Sequence, residues 1–161
     1  MLSIIRFELN TMIKRFISNT IERKAVRRKG YYEFIGSTKL VNKYEIEKCG
    51  AVFINGSIYI IWDEEFYNKL SPKERMFCRY HELGHFTGYV SISELITHER
   101  HLDEEVKADS YAFKKMGYAD ALESMTQILN HLDEYQKVEM NQRIKIQKSM
   151  NVARQIVKNN I

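Results

Sequence analysis

A mostly helical α+β fold with one small sheet is what this 161-residue chain predicts. Three observations carry that expectation. Residues 50–61 read Gly-Ala-Val-Phe-Ile-Asn-Gly-Ser-Ile-Tyr-Ile-Ile, two β-branched runs about Asn55-Gly56, and such a turn needs positive φ at both central positions. Ser71-Pro72-Lys73-Glu74 sets an N-cap serine, a proline at the first helical position and a glutamate at the third, a capping box that starts a helix. From Ala119 to the C-terminus apolar residues recur at helical spacing, with neither repeats nor low-complexity stretches.

The elements follow in order. Residues 3–25 carry Ile5, Leu9, Met12, Ile13, Phe16, Ile17 and Ile21 on one stripe, an amphipathic helix expected to pack over the rest of the chain. Gly30 closes the basic run that follows, and residues 31–35 suit a short strand. After the hairpin, 63–70 predicts a short helix leading to Ser71. In the next helix Met76, Phe77, Tyr80, Leu83 and Gly84 are expected to keep one side packed. Ser93 is a candidate cap within 89–102. The helix after it has Asp103 as its expected N-cap and Gly117 as its C′ residue. Beyond it, Leu122, Met125, Ile128, Leu129 and Leu132, then Val138, Ile144, Ile146, Val152 and Ile156, predict further helices. The expectation is one domain over 1–161: an amphipathic helix and basic segment at 1–30, a core at 50–125, and C-terminal helices at 126–161.

Composition bounds the function. A hydrophobic fraction of 44% and a charged fraction of 29% are ordinary globular values. No apolar run approaches a membrane span, and Arg6 and Glu8 break the N-terminal apolar run, so neither a membrane anchor nor a signal peptide is expected. Cys49 and Cys78, without CxxC spacing, read as reduced thiols of a cytoplasmic protein. Cys78 stands three residues before His81, where a small buried hydrophobe is a simpler role than an extra ligand. The net charge is +4, and much of the excess lies in 23–29. Runs of this kind bind nucleic acid or anionic membrane. Here no stacking motif or recognition helix accompanies the run, so a solvated connection is expected. Oligomeric state has no signal in the sequence.

The chemistry concentrates in His81-Glu82-Leu83-Gly84-His85 and in Glu105-Val106-Lys107-Ala108-Asp109. Two imidazoles four residues apart lie one helical turn apart on the same face and reach one tetrahedral Zn²⁺. Glu82 projects about 100° around the helix from His81 and about 60° from His85, aside from the ligand face, where it suits a general base. Glu105 offers a third ligand, leaving the fourth position open as in catalytic zinc sites. It shares a helix face with Asp109.

HELGH followed by ExxAD resembles the gluzincin branch of zinc metallopeptidases, above all the minigluzincins and the HtpX-like protease core, over about residues 50–125. The ImmA/IrrE type shares much of the pattern. A metzincin would place a third histidine where Ser91 stands. The resemblance implies a zincin-like fold, one Zn²⁺ per chain, and hydrolysis of a protein or peptide by a water that Glu82 activates. It implies His81, His85 and Glu105 as ligands, preferring Glu105 over Glu104 on the ExxAD offset, with Asp109 holding His81. In this fold class the sheet borders the cleft, where its edge could align a peptide by strand addition. The oxyanion or substrate donor has several candidates: Tyr118, His131, Tyr135 and Arg143. HtpX-like domains carry a downstream arginine before an apolar residue, which Arg143-Ile144 resembles. His98 and His101 are expected to face solvent. Alternatives are a non-catalytic or latent zinc-binding regulator, a repressor-cleaving protease of a mobile element, and a nucleic-acid-binding module built on 23–29.

Overall fold

A computed structural model describes residues 19–42, 46–87 and 98–159 and has the α+β composition expected, helix outweighing sheet. Contacts gather the chain into two compact units that divide between Lys69 and Leu70.

The first unit is the sheet. Residues 19–24 are helical and form α1; the rest of the expected amphipathic helix lies outside the described residues. β1 (Val26–Arg27), β2 (Tyr32–Gly36), β3 (Cys49–Ile54) and β4 (Ser57–Asp63) stand in the order β1-β2-β4-β3, with β2 parallel to β4 and the other pairs antiparallel. The β3–β4 hairpin turns at Asn55 (φ 47°) and Gly56 (φ 81°), the positive-φ pair that Asn-Gly is suited to supply. The basic run at 23–29 joins α1 to β2 with its charged residues exposed, as expected; β1 lies within it, and Arg28 Nε donates to Glu33 Oε2 at 3.1 Å. The other oxygen of that buried carboxylate accepts from Trp62 Nε1 at 2.9 Å. Ile21, Phe34, Val41, Ile46, Val52, Tyr59 and Ile61 form the core, with Val41 on α2 (Thr38–Val41). Asp63 ends β4 and caps α3 (Glu64–Lys69) by accepting from Phe66 N at 2.9 Å.

The second unit is helical: α4 (Pro72–Gly84), α5 (His98–Met116), α6 (Tyr118–Ile128), a 3₁₀ turn (Leu129–His131) and α7 (Glu134–Asn159). The Ser71 capping box is present in full, with Ser71 N donating to Glu74 Oε2 at 2.6 Å and Glu74 N to Ser71 Oγ at 3.2 Å. Asp133 and Gln136 form an equivalent reciprocal pair at the start of α7. Gly117 takes φ 86° between α5 and α6, and its N–H still reaches Phe113 O at 2.9 Å.

Two sequence expectations need correcting. Asp103 does not cap α5, which begins at His98 and carries Asp103 in its second turn. The buried side of α4 is Phe77, Cys78, His81, Glu82 and Gly84, while Met76 is 46% exposed. α4 therefore turns its chemistry inward against α5 and α6. On α7, Val138, Val152 and Ile156 are exposed, and the buried stripe is Gln136, Met140, Arg143, Ile144 and Gln147. A hydrophobicity pattern misses that stripe because three of its five members are polar. The Ser93 cap lies outside the described residues.

Candidate metal centre

The site is built from one helix crossing. α4 and α5 approach so closely at Gly84 that a Cβ there would lie 2.7 Å from Ala108 Cα and 2.7 Å from its carbonyl oxygen. That contact sets Glu105 and Asp109 against His81. Ala108 and Ala112 are fully buried along the same face of α5.

Ligand-type atoms of His81, His85 and Glu105 all lie within 4.8 Å of one another. The two Nε2 atoms are 3.1 Å apart. Ligands about 2.0–2.1 Å from a tetrahedral centre would stand about 3.3 Å apart, so the imidazoles are already at ligand separation. Glu105 Oε2 is 3.3 Å from His81 Nε2, and Oε1 is 3.6 Å from His85 Nε2. Cys78 is no part of this cluster: burial and the nearby Glu82 and Glu74 carboxylates push its thiol up, away from the ligating thiolate.

Hydrogen bonding decides where the lone pairs point. Asp109 Oδ1 accepts from His81 Nδ1 at 2.8 Å, which leaves Nε2 of the neutral ring aimed at His85 and Glu105. Arg143, from α7, forks onto the same carboxylates. Its Nε donates to Asp109 Oδ2 at 2.7 Å, its Nη2 to Asp109 Oδ1, and its Nη1 lies 3.0 Å from Glu105 Oε2. Gln147, one turn beyond, ties α7 to α5 through Val106 O at 3.0 Å and Ser110 Oγ at 3.1 Å. His81, Glu82, Glu105 and Asp109 are fully buried, and Arg143 is 2% exposed.

The electrostatics follow from that burial. Desolvation opposes ionisation of Glu105 and Asp109, but Arg143 and His81 outweigh it and hold both carboxyls below the usual range. Desolvation likewise opposes a charge on His81, yet its bonds to Asp109 and Glu105 raise it to about 9. His85 is lowered to about 4 by its burial and by the neighbouring His81 charge. With both imidazoles neutral, the Glu105 and Asp109 carboxylates outweigh the Arg143 guanidinium, and the charge where three ligand atoms converge is negative. The cluster therefore calls for a positive charge at its centre, which a proton on His81 Nε2 or a divalent ion supplies. The donor set, its separations and its charge fit a metal ion.

The other sequence candidates divide. Glu104 pairs with Lys107 at 2.7 Å, and it is Glu105 that joins the cluster. His131 lies at the opposite end of α4, its Nε2 3.4 Å from Glu74 Oε1. Tyr118 packs its ring against Phe113 at 5.6 Å, Tyr135 is 64% exposed, and His101 lies 4.0 Å from Glu139. Arg143 alone among the donor candidates reaches the cluster, where it binds the carboxylates. Its position was legible in principle: it shares a helix face with Met140 and Ile144, and a buried guanidinium needs carboxylate partners.

Comparison of the chain with protein families, curated proteins and solved structures finds no match in any of the three. Among the described residues, no helix is long and apolar enough to cross a membrane.

Proposed function

We propose that the protein is a zinc-dependent endopeptidase of the gluzincin type, with the helical unit a zincin-like active centre. The observation that carries this reading is the convergence of His81, His85 and Glu105 within ligand distance of one another, with Asp109 on His81 Nδ1. Two imidazoles and one carboxylate are the ligand set of catalytic rather than closed structural zinc sites. When bound, the ion supplies a Lewis-acidic charge that acidifies water and polarises a carbonyl.

The chain's own residues supply the rest. Glu82, next to His81 on α4, takes a proton from the attacking water at its carboxylate and passes it to the leaving amine. Asp109 fixes the His81 tautomer, so that Nε2 stays a ligand atom. Arg143 positions both Asp109 and Glu105 and keeps them ionised. Its donors are directed at these carboxylates, which makes it a positioning residue instead of a source of oxyanion stabilisation.

A latent form is the second reading, and complete burial of His81, Glu82 and Glu105 favours it. Either form would bind the metal, and only an open one would turn over substrate. Metal content is therefore the decisive experiment: zinc per chain in protein purified without chelator, beside His81→Ala/His85→Ala. One equivalent that disappears in the double variant supports the centre. A folded wild-type chain that takes up no supplied zinc sinks the proposal.

A further inference from the structure

A groove of about 780 Å³ runs along α5 and the C-terminal half of α7, within the helical unit. Lys107 and Lys114 line it from α5, Arg154 and Lys158 from α7, and among the described residues that line it none carries a carboxylate. All four cations are exposed. Lys107 pairs with Glu104, whereas Lys114, Arg154 and Lys158 have no ion-pair partner among the described residues. Unpaired like charges around one concave surface create a positive potential that an anion relieves. Arg154 adds a planar fork suited to a carboxylate.

Two tyrosines narrow the choice of anion. Tyr111 makes a T-shaped contact with Tyr80, their ring centroids 6.4 Å apart, and carries Lys115 Nζ 5.3 Å from its ring centre, while Tyr118 lies tilted against Phe113. Single-stranded nucleic acid needs open ring faces for stacked bases, and Lys115 already stands over the ring of Tyr111. Carboxylates need only the cations. The groove also adjoins the metal ligands along the chain: Lys107 lies between Glu105 and Asp109, and Thr87, another lining residue, follows His85 by two.

We propose that this groove binds an acidic, Asp/Glu-rich stretch of a peptide. That the peptide is a substrate rests on the peptidase reading; the binding itself does not. The test uses the full chain, a fluorescein-labelled Glu-rich peptide and its Gln counterpart, with anisotropy as readout. The Glu-rich peptide should bind at least about 10-fold more tightly than the Gln peptide and weaken as salt is raised. Lys114→Glu/Arg154→Glu, both at exposed positions, should lose about 10-fold or more in affinity for it. Equal binding of the two peptides, or undiminished binding by the charge-reversed chain, overturns the proposal. Stronger binding of a single-stranded oligonucleotide than of the Glu-rich peptide overturns it in favour of nucleic acid. Zinc content measured on the same samples reports separately on the metal centre. A zinc-free wild-type chain that still prefers the acidic peptide keeps the groove and removes the peptidase reading.

Discussion

Gly84 and Ala108 stand backbone to backbone where α4 crosses α5, with no room for a methyl group between them. The glycine inside HELGH and the alanine inside ExxAD thus have a shared physical purpose. They bring the two helices close enough for His81 Nδ1 to reach Asp109 at 2.8 Å and His81 Nε2 to approach Glu105 at 3.3 Å.

Gly84→Ala should consequently destabilise the protein, although alanine is the better helix former by about 1 kcal/mol. Overpacking of this kind costs about 1–3 kcal/mol and here also pulls Glu105 away from the histidines. Thermal melting and zinc titration check it. A raised melting temperature with unchanged zinc affinity would mean the crossing is looser than these contacts indicate.

Arg143→Met should strip the counter-charge from two buried carboxylates and destabilise the metal-free chain by about 3–5 kcal/mol. Arg143→Lys should recover little, because lysine lacks the planar fork that spans Asp109 and Glu105. Chemical denaturation with and without zinc measures both effects, and zinc should rescue part of the loss. Stability equal to wild type in the methionine variant would remove the clamp from the account.

Glu82→Gln should retain fold and zinc while losing peptide hydrolysis in any preparation where the wild type turns over. The amide has the volume of the acid without its capacity to accept the water's proton. Persisting turnover would assign the base elsewhere.

Glu105→Ala should weaken zinc binding severely, and Glu104→Ala should leave it near wild type, since Glu104 pairs with Lys107. Asp109→Ala should lower zinc affinity by about 10- to 100-fold by freeing the His81 tautomer. Competition with a chromogenic chelator ranks all three. Equal loss in the Glu104 and Glu105 variants would be incompatible with the ligand set drawn here.

Local signals survive the passage from sequence to structure where a few adjacent residues carry the physics. Asn55-Gly56 makes its turn because two neighbouring residues tolerate positive φ, and Ser71 with Glu74 starts α4 because each satisfies the other's backbone donor. The four-residue spacing of His81 and His85 fixes their shared face by helix geometry alone. These features need no knowledge of the rest of the chain.

What only the folded unit decides is which faces turn inward. Apolar periodicity assigns Met76 to the packed side of α4, yet it is exposed, and the buried side of that helix carries His81 and Glu82. The buried stripe on α7 contains Gln136, Arg143 and Gln147, and the reason appears only when Asp109 and Glu105 arrive from a helix 34 and 38 residues earlier in the chain. Hydrophobic pattern reads burial that water enforces. Burial that a buried ion network enforces depends on partners distant in sequence, and becomes visible only when the tertiary structure brings them together.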